Sequence, residues 1–192
     1  LRTPLTRMKL QLSLMKHASA KKELESDIDE MTAMLNSYMN FVKSETPDPI
    51  EEINFHDLLR EICNSSKIKN KKIDLEVKKE IKSSGRPLQL RRCFVNLIEN
   101  AIRYSEKVIV ELSVNDENII ININDNGPGI PESNYDDVFK PFFTLDSSRN
   151  KLKGESGLGL TISRDIIRSH GGDISLLKSS LGGLKVSVAL PK

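Results

Sequence analysis

Pro47-Asp48-Pro49 divides this sequence into two stretches whose apolar residues recur with incompatible periods. Before the prolines, Leu1, Leu5, Met8, Leu12 and Met15 follow a 4-3-4-3 spacing, and Leu24, Ile28, Met31, Leu35, Tyr38 and Val42 repeat it. That spacing places each set on one stripe of a helix. Met34 and Phe41 widen the second stripe beyond a two-stranded seam, which suits a four-helix bundle. Helices joined near His17 to Ala20 make an antiparallel hairpin over residues 1–45, and one hairpin cannot bury both stripes. A second copy can, so the spacing predicts a homodimer. Two prolines so close together end a helix and stiffen a linker, which sets a second domain over residues 46–192.

Beyond the linker the period changes to two. Val108, Val110, Leu112 and Val114 alternate with polar neighbours, as do Ile119, Ile121 and Ile123 after an Asn-Asp-Glu-Asn turn, so an antiparallel hairpin with one buried face is expected. Around it the pattern predicts helices over 54–67, 87–104 and 158–169, and strands over 73–77, 174–177 and 184–190. The sum is an α/β sandwich appended to a helical hairpin, an α+β chain. With 38% hydrophobic and 29% charged residues among 192, the composition supports a folded core. The 29 Lys+Arg against 27 Asp+Glu leave a net charge of +2, which gives no field for a nucleic-acid backbone, and no nucleic-acid partner is expected. Cys63 and Cys93 support neither a zinc framework nor a disulfide scaffold, and no apolar run is long enough to cross a membrane.

Four features carry possible chemistry. On the 87–104 helix, Asn96, Asn100 and Arg103 share one face, opposite Phe94, Leu97, Ile98 and Ala101. Carboxamide oxygens are hard ligands for Mg²⁺ and a guanidinium offsets phosphate charge, although taken alone such a face reads first as a solvated one. Asp125 stands where a buried strand meets Asn126-Gly127-Pro128-Gly129. A carboxylate there can accept from an exocyclic amine such as adenine's, although Asp, Asn, Gly and Pro are also turn formers. Gly127 to Gly157 is a long irregular segment of the kind used as a lid, and Phe139, Phe142 and Phe143 within it hold three of the nine aromatics, as a clamp or as a satellite core. Gly154-Glu155-Ser156-Gly157-Leu158-Gly159-Leu160 then opens a helix, where backbone N–H groups can cradle phosphates, yet it fails the P-loop and dinucleotide spacings. His17, His56 and His170 have no metal-ligand spacing, and no nucleophile-base pair is visible.

The order of these features resembles the ATP-binding domain of sensor histidine kinases. Asn96 to Ser105 matches the asparagine box, Asp125 to Ile130 the first glycine box, Phe139 to Phe143 the phenylalanine box and Gly154 to Leu160 the second glycine box. Gly182-Gly183 before the last strand fits as well. Leu1-Arg-Thr-Pro-Leu-Thr6 is similar to the tail of the phosphoacceptor box, which makes the hairpin a dimerisation and histidine-phosphotransfer domain. The resemblance implies ATP and Mg²⁺ as cofactors, with Asn100 on the metal, Asn96 beside metal and phosphates, and Arg103 on the phosphate tail. It implies that Tyr104, Ile130, Leu158 and Leu160 line the nucleotide pocket and that Asp125 accepts from the adenine amine. Gly127 and Gly129 would hinge the lid, Gly157 and Gly159 approach the triphosphate, and Arg149 reach phosphate from the lid. The implied reaction moves the γ-phosphate to a histidine and then to an aspartate of a response-regulator receiver domain. The implied setting is the cytoplasmic portion of an inner-membrane protein, with its sensor segment upstream.

Two residues depart from the family pattern. The acceptor histidine belongs four residues before Thr3, ahead of Leu1, so autophosphorylation is not expected of these 192 residues alone. Thr3 takes the place from which such kinases orient water to dephosphorylate the regulator. Glu155 stands where a glycine is expected, and a carboxylate near phosphate repels. The competing expectations are a related ATPase that hydrolyses with a glutamate base, whose place Asn96 occupies, and a non-catalytic dimerisation and docking module.

Overall fold

The structure is a computed structural model that describes residues 48–65, 72–77, 79–145 and 157–192, together with Leu24, Ile28, Met31 and Thr32. The hairpin expected over 1–45, Thr3 within it, Arg149 and Glu155 lie outside the described residues, apart from those four, which are helical. The chain forms two compact units, residues 1–46 with 140–158 and residues 47–139 with 159–192.

The larger unit is built on a five-stranded sheet. In chain order its elements are β1 (Glu51–Asn54), α1 (Phe55–Cys63), β2 (Lys72–Val77), β3 (Lys82–Gly85), α2 (Pro87–Tyr104), β4 (Lys107–Val114), β5 (Asn118–Asp125), α3 (Gly159–Ser169), β6 (Asp173–Lys178) and β7 (Leu184–Pro191). The strand order is β2-β4-β5-β7-β6, with β2 parallel to β4 and the remaining pairs antiparallel. The alternation read from the sequence is observed as far as Leu112; Val114, expected on the same buried face, is exposed, because it is the last residue of β4, at the turn into β5. Val108, Val110 and Leu112 lie across from Asp125, Ile123 and Ile121, and the next strand adds Val186, Val188 and Leu190. All these apolar side chains are buried. Each such Ile or Val contributes about 1.5–3 kcal/mol through removal from water. The other face carries Ser175, Ser187, Asn122, Glu111 and Glu76 in one register across all five strands.

The helices cover the apolar face, α2 with the four residues the pattern assigned and with Leu90 and Cys93 besides. Leu90, Cys93, Phe94, Leu97, Ile98 and Ala101 are the buried stripe of α2, and Phe94 meets Phe55 of α1 edge-on at 6.4 Å between ring centroids. Helix α1 is shorter than expected and starts one residue later, because Asn54 is its cap: the Asn54 side chain accepts from His56 N at 3.1 Å and Asp57 N at 3.3 Å. Helix α3 closes in a Schellman turn, with Gly172 N donating to Ile167 O and Gly171 N to Arg168 O, both at 3.0 Å, and Gly171 at φ +78°.

The strand pair β1 and β3 was not expected from sequence. Each strand has four residues and buries one, Ile53 and Gly85, too few for alternation to register. The segment after Gly127 is also more ordered than its lack of periodicity implied, with short 3-10 turns at Glu132–Asn134 and Asp137–Phe139. Such turns bury few side chains and leave little trace in a hydrophobic pattern.

Candidate functional site

Asp125 is the last residue of β5 and is 5% exposed, an unusual depth for a carboxylate at the end of a strand. Its Oδ1 accepts from Gly127 N at 2.8 Å and from Leu184 N at 3.1 Å, and its backbone carbonyl accepts from Gly183 N at 3.2 Å. The carboxylate is therefore held from two sides, by its own turn and by the start of β7. Burial pushes its carboxyl above the ordinary aspartate range, while the N–H bonds from Leu184 and Gly127 oppose the shift. A charge kept at such a cost, on a rigid mount, is suited to reading a ligand.

Close packing explains the surrounding glycines. A Cβ on Gly127 would come within 2.7 Å of Tyr104 O, so glycine lets the Asp125 turn lie against the end of α2. A Cβ on Gly183 would overlap Asp125 Oδ1 and Gly127 N, so this residue must also be glycine. Gly129 adopts φ +71°, a backbone state open to glycine at little cost. Gly127 and Gly129 stand out in the sequence beside Asp125, and Gly182-Gly183 only through the resemblance, yet Gly183 packs against the carboxylate.

Asn126 was also missed as a site component. Its side-chain oxygen accepts from Glu106 N at 3.1 Å and Lys107 N at 2.9 Å, which ties the turn to the segment leaving α2. Helix α2 ends there because Ser105 is extended and its hydroxyl donates back to Ala101 O at 2.7 Å. Asn126→Ala should cost about 1 kcal/mol, since water can replace its bonds at these exposed amides. The expected result is a fall of about 2–4 °C in melting temperature for a domain of this size. Faster hydrogen exchange at Glu106 and Lys107 should accompany it; unchanged exchange would remove the tie from the account.

Two contacts fix α3 against α2. Near one end, Arg86 N donates to Nε2 of His170 at 3.1 Å. Farther along, the Cys93 thiol donates to Ser163 O at 3.7 Å and the Ser163 hydroxyl to Cys93 O at 3.4 Å. Burial of Cys93 pushes its thiol up to about 12, so it serves as a neutral packing group. The two contacts follow in opposite order along the two helices, which therefore run antiparallel. Gly159 is the first residue of α3. Around Gly159 a Cβ would meet nothing within 4 Å, which leaves the start of α3 open for an anion.

The larger unit carries Asn96, Asn100, Arg103 and Tyr104 on α2, Asp125 at the end of β5 with Gly127, Gly129 and Ile130 after it, and Gly159 and Leu160 at the start of α3; of these, the Gly127 turn lies against Tyr104 O at the end of α2. Asn96 and Asn100 are half-buried, and Arg103 and Tyr104 are exposed. Gly157 and Leu158 belong to the other unit, where Phe142 N donates to Gly157 O at 3.0 Å and Gly157 takes φ +63°. Phe139, by contrast, belongs to the larger unit. Its carbonyl accepts from the Thr161 hydroxyl at 2.9 Å, and the Arg164 guanidinium lies 4.4 Å from its ring centroid. Both contacts hold Phe139 against α3 within the larger unit.

Among the described residues no cluster of three or more His, Cys, Asp or Glu could hold a metal ion. The Asn96 and Asn100 carboxamides fit Mg²⁺ instead, as hard oxygen donors for an ion that keeps water and phosphate in most of its shell.

A family model for histidine kinase-, DNA gyrase B-, and HSP90-like ATPases matches residues 85–192. Sensor histidine kinase GtrS of Pseudomonas aeruginosa is 31% identical over 194 residues, covering 100% of this chain and 40% of its own length. Sensor histidine kinase CpxA of Escherichia coli is 29% identical over 203 residues, covering 100% of this chain and 44% of its own. Among solved structures, the catalytic domain of histidine kinase ThkA is 27% identical with a TM-score of 0.66, covering 75% of this chain and 96% of that domain. The chain therefore spans less than half the length of these curated relatives.

Proposed function

Because the chain belongs to the histidine kinase-, DNA gyrase B- and HSP90-like ATPases and carries the ATPase domain of a sensor histidine kinase, we propose that it binds Mg·ATP and donates the γ-phosphate to a histidine. The observation that carries this reading is Asp125, a buried carboxylate clamped by Gly127 N and Leu184 N against the end of α2.

In this reading Asp125 accepts from the adenine amine, and Tyr104, Ile130, Leu158 and Leu160 line the base and sugar. Arg103 meets the phosphate tail, with Arg149 reaching it from the lid. Asn100, with Asn96 beside it, holds Mg²⁺. When bound, the ion offsets charge on the phosphate oxygens. The open start of α3 at Gly159, with Gly157 before it, faces the triphosphate, and Gly127 and Gly129 hinge the lid. The protein's share of the chemistry is positioning and charge neutralisation. Asn96 cannot serve as a general base, which argues against the hydrolytic members of the family as a guide to turnover.

The acceptor histidine is proposed to precede Leu1 in the parent protein, on a dimeric helical hairpin over 1–45. From it the phosphoryl group passes to an aspartate of a response-regulator receiver domain, and Thr3 would orient the water that hydrolyses the regulator's aspartyl phosphate to inorganic phosphate. Among the described residues no helix is long and apolar enough to cross a membrane. The membrane and sensor segments are proposed for the rest of the parent protein, with this chain on the cytoplasmic side.

Incubation with Mg²⁺ and γ-labelled ATP tests the whole scheme on the parent protein and on this chain alone. Acid-labile, base-stable label is expected on the parent only. No label on either, despite nucleotide binding, would replace the kinase with a hydrolytic or non-catalytic domain.

A further inference from the structure

Helix α2 begins without a cap of its own. Its N-cap residue is Arg86, whose side chain makes no capping bond, and Pro87 brings no N–H to satisfy. Two first-turn N–H groups find acceptors far along the chain. Arg86 N donates to Nε2 of His170 at 3.1 Å, and Gln89 N donates to Oδ2 of Asp48 at 2.9 Å. The other ring nitrogen of His170 lies 2.7 Å from Ile166 O, so the proton sits on Nδ1 and Nε2 remains an acceptor. Gln89 is the third helical residue, the position whose N–H a capping carboxylate takes, and a negative charge at this end also suits the helix dipole.

Asp48 stands between Pro47 and Pro49, on the segment through which the chain passes from residue 46 into the larger unit. The flanking rings restrict its backbone, so the carboxylate cannot drift freely from α2. The other end of α2 is secured separately, by Ser105 and by the Asn126 tie. Asn96 and Asn100 lie between these two anchorages.

We infer that Asp48 is a positioning residue for nucleotide binding: it caps α2 from the linker and so sets the start of the helix that carries Asn96, Asn100 and Arg103. This inference rests on the reading of α2 as the nucleotide helix. Without the cap the first turn frays, and the fraction of molecules with α2 in its binding position falls. The apparent affinity falls by the same fraction. Displacement of the linker has the same effect, because the stiff Pro-Asp-Pro segment must either move the start of α2 or release Gln89 N.

The test titrates Mg·ADP calorimetrically into this chain and into its Asp48→Ala, Asp48→Asn and Asp48→Ser variants, with amide exchange at Gln89 followed in parallel. Asp48→Ala should weaken Mg·ADP by about 3- to 10-fold, the fold-change that corresponds to the roughly 1 kcal/mol a lost N-cap costs a helix when that cost falls on the binding-competent state. Asn and Ser, which retain an acceptor, should restore affinity to within about twofold and should restore protection of Gln89. Faster Gln89 exchange or a lower melting temperature in Asp48→Ala with unchanged affinity would reduce Asp48 to a structural cap and overturn the inference. Affinity lost equally in all three variants would overturn it too, since capping would not be the cause. Failure of the unsubstituted chain to bind Mg·ADP would sink the nucleotide reading and this inference with it, while Gln89 exchange would still report whether the cap exists.

Discussion

Asp125→Asn should abolish most of the chain's affinity for adenine nucleotide and leave its fold intact. The amide is nearly isosteric, and its oxygen can still accept from Gly127 N and Leu184 N as Oδ1 does now. Its nitrogen then occupies the position of the second carboxylate oxygen and presents a donor to the donor N–H of the adenine amine. Loss of a hydrogen bond to a charged acceptor costs about 1.5–3 kcal/mol, which is roughly a 10- to 100-fold loss of affinity. The unfavourable meeting of two donors adds to this. Titration of Mg·ADP or of a non-hydrolysable ATP analogue reads the loss. Unchanged affinity in a folded variant would remove Asp125 from the nucleotide site and with it the observation on which the function rests.

The same residue predicts a pH dependence. Burial raises the Asp125 carboxyl above its unfolded value, so between those two values the folded state holds the proton more tightly than the unfolded state. Its contribution to stability is therefore complete below the unfolded pKa and is lost as pH rises through the folded one. Nucleotide affinity runs the other way, because the ionised form is the better acceptor. On acidification the affinity should begin to fall at a higher pH than an ordinary aspartate would give, and Asp125→Asn should flatten that part of the profile. In stability the variant should be at least equal to the parent at neutral pH, since it removes a desolvated charge and keeps the oxygen.

How much of this was legible in the sequence depends on the range of the interaction concerned. The β4 and β5 hairpin and the bounds of α2 follow from local rules: alternation, Pro87 at the first helical position and a polar stop at Ser105. Asn96, Asn100 and Asp125 are legible because an unusual side chain interrupts such a pattern. Strands β1 and β3 are not, since each has four residues and their pairing spans the whole of α1 and β2. Capping of α2 by Asp48 and His170 is invisible for a related reason. The partners lie 41 and 84 residues from the helix start, and nothing at either position marks them in a local reading. Asn126 was passed over because its turn-forming character already accounted for it. Phe139 stays open in the sequence because a clamp and a satellite core have the same composition, and its contacts with Thr161 and Arg164 reach too far along the chain to leave a local signal.

Gly183→Ala should be the most damaging small substitution at the site, and its adjacent glycine supplies the control. At Gly183 an added Cβ would overlap both Asp125 Oδ1 and Gly127 N, two atoms that are hydrogen-bonded to each other at 2.8 Å. Neither is the free end of a flexible chain: one belongs to a buried carboxylate, the other to backbone. Relief therefore requires that Asp125 leave Leu184 N or that β7 withdraw from the end of β5. The first leaves a buried donor unpaired at about 1–3 kcal/mol, and overpacking costs a similar amount. Together they come to about 3 kcal/mol, a fall of roughly 6–12 °C in melting temperature for a domain of this size. Nucleotide affinity should fall by more than in Asp125→Asn, because the carboxylate is displaced and the turn that carries Gly127 moves with it. At Gly182 a Cβ would meet nothing within 4 Å, and only its φ of +100° opposes alanine. Gly182→Ala should thus lower the melting temperature through backbone strain and leave affinity within about twofold, since Asp125 keeps both of its N–H partners. If the two alanines were to weaken nucleotide binding alike, general softening of the β6 to β7 turn would account for both. If Gly183→Ala alone does so, the strand end and the carboxylate act as one unit, and the glycine before β7 belongs to the nucleotide site as firmly as the two that follow Asp125.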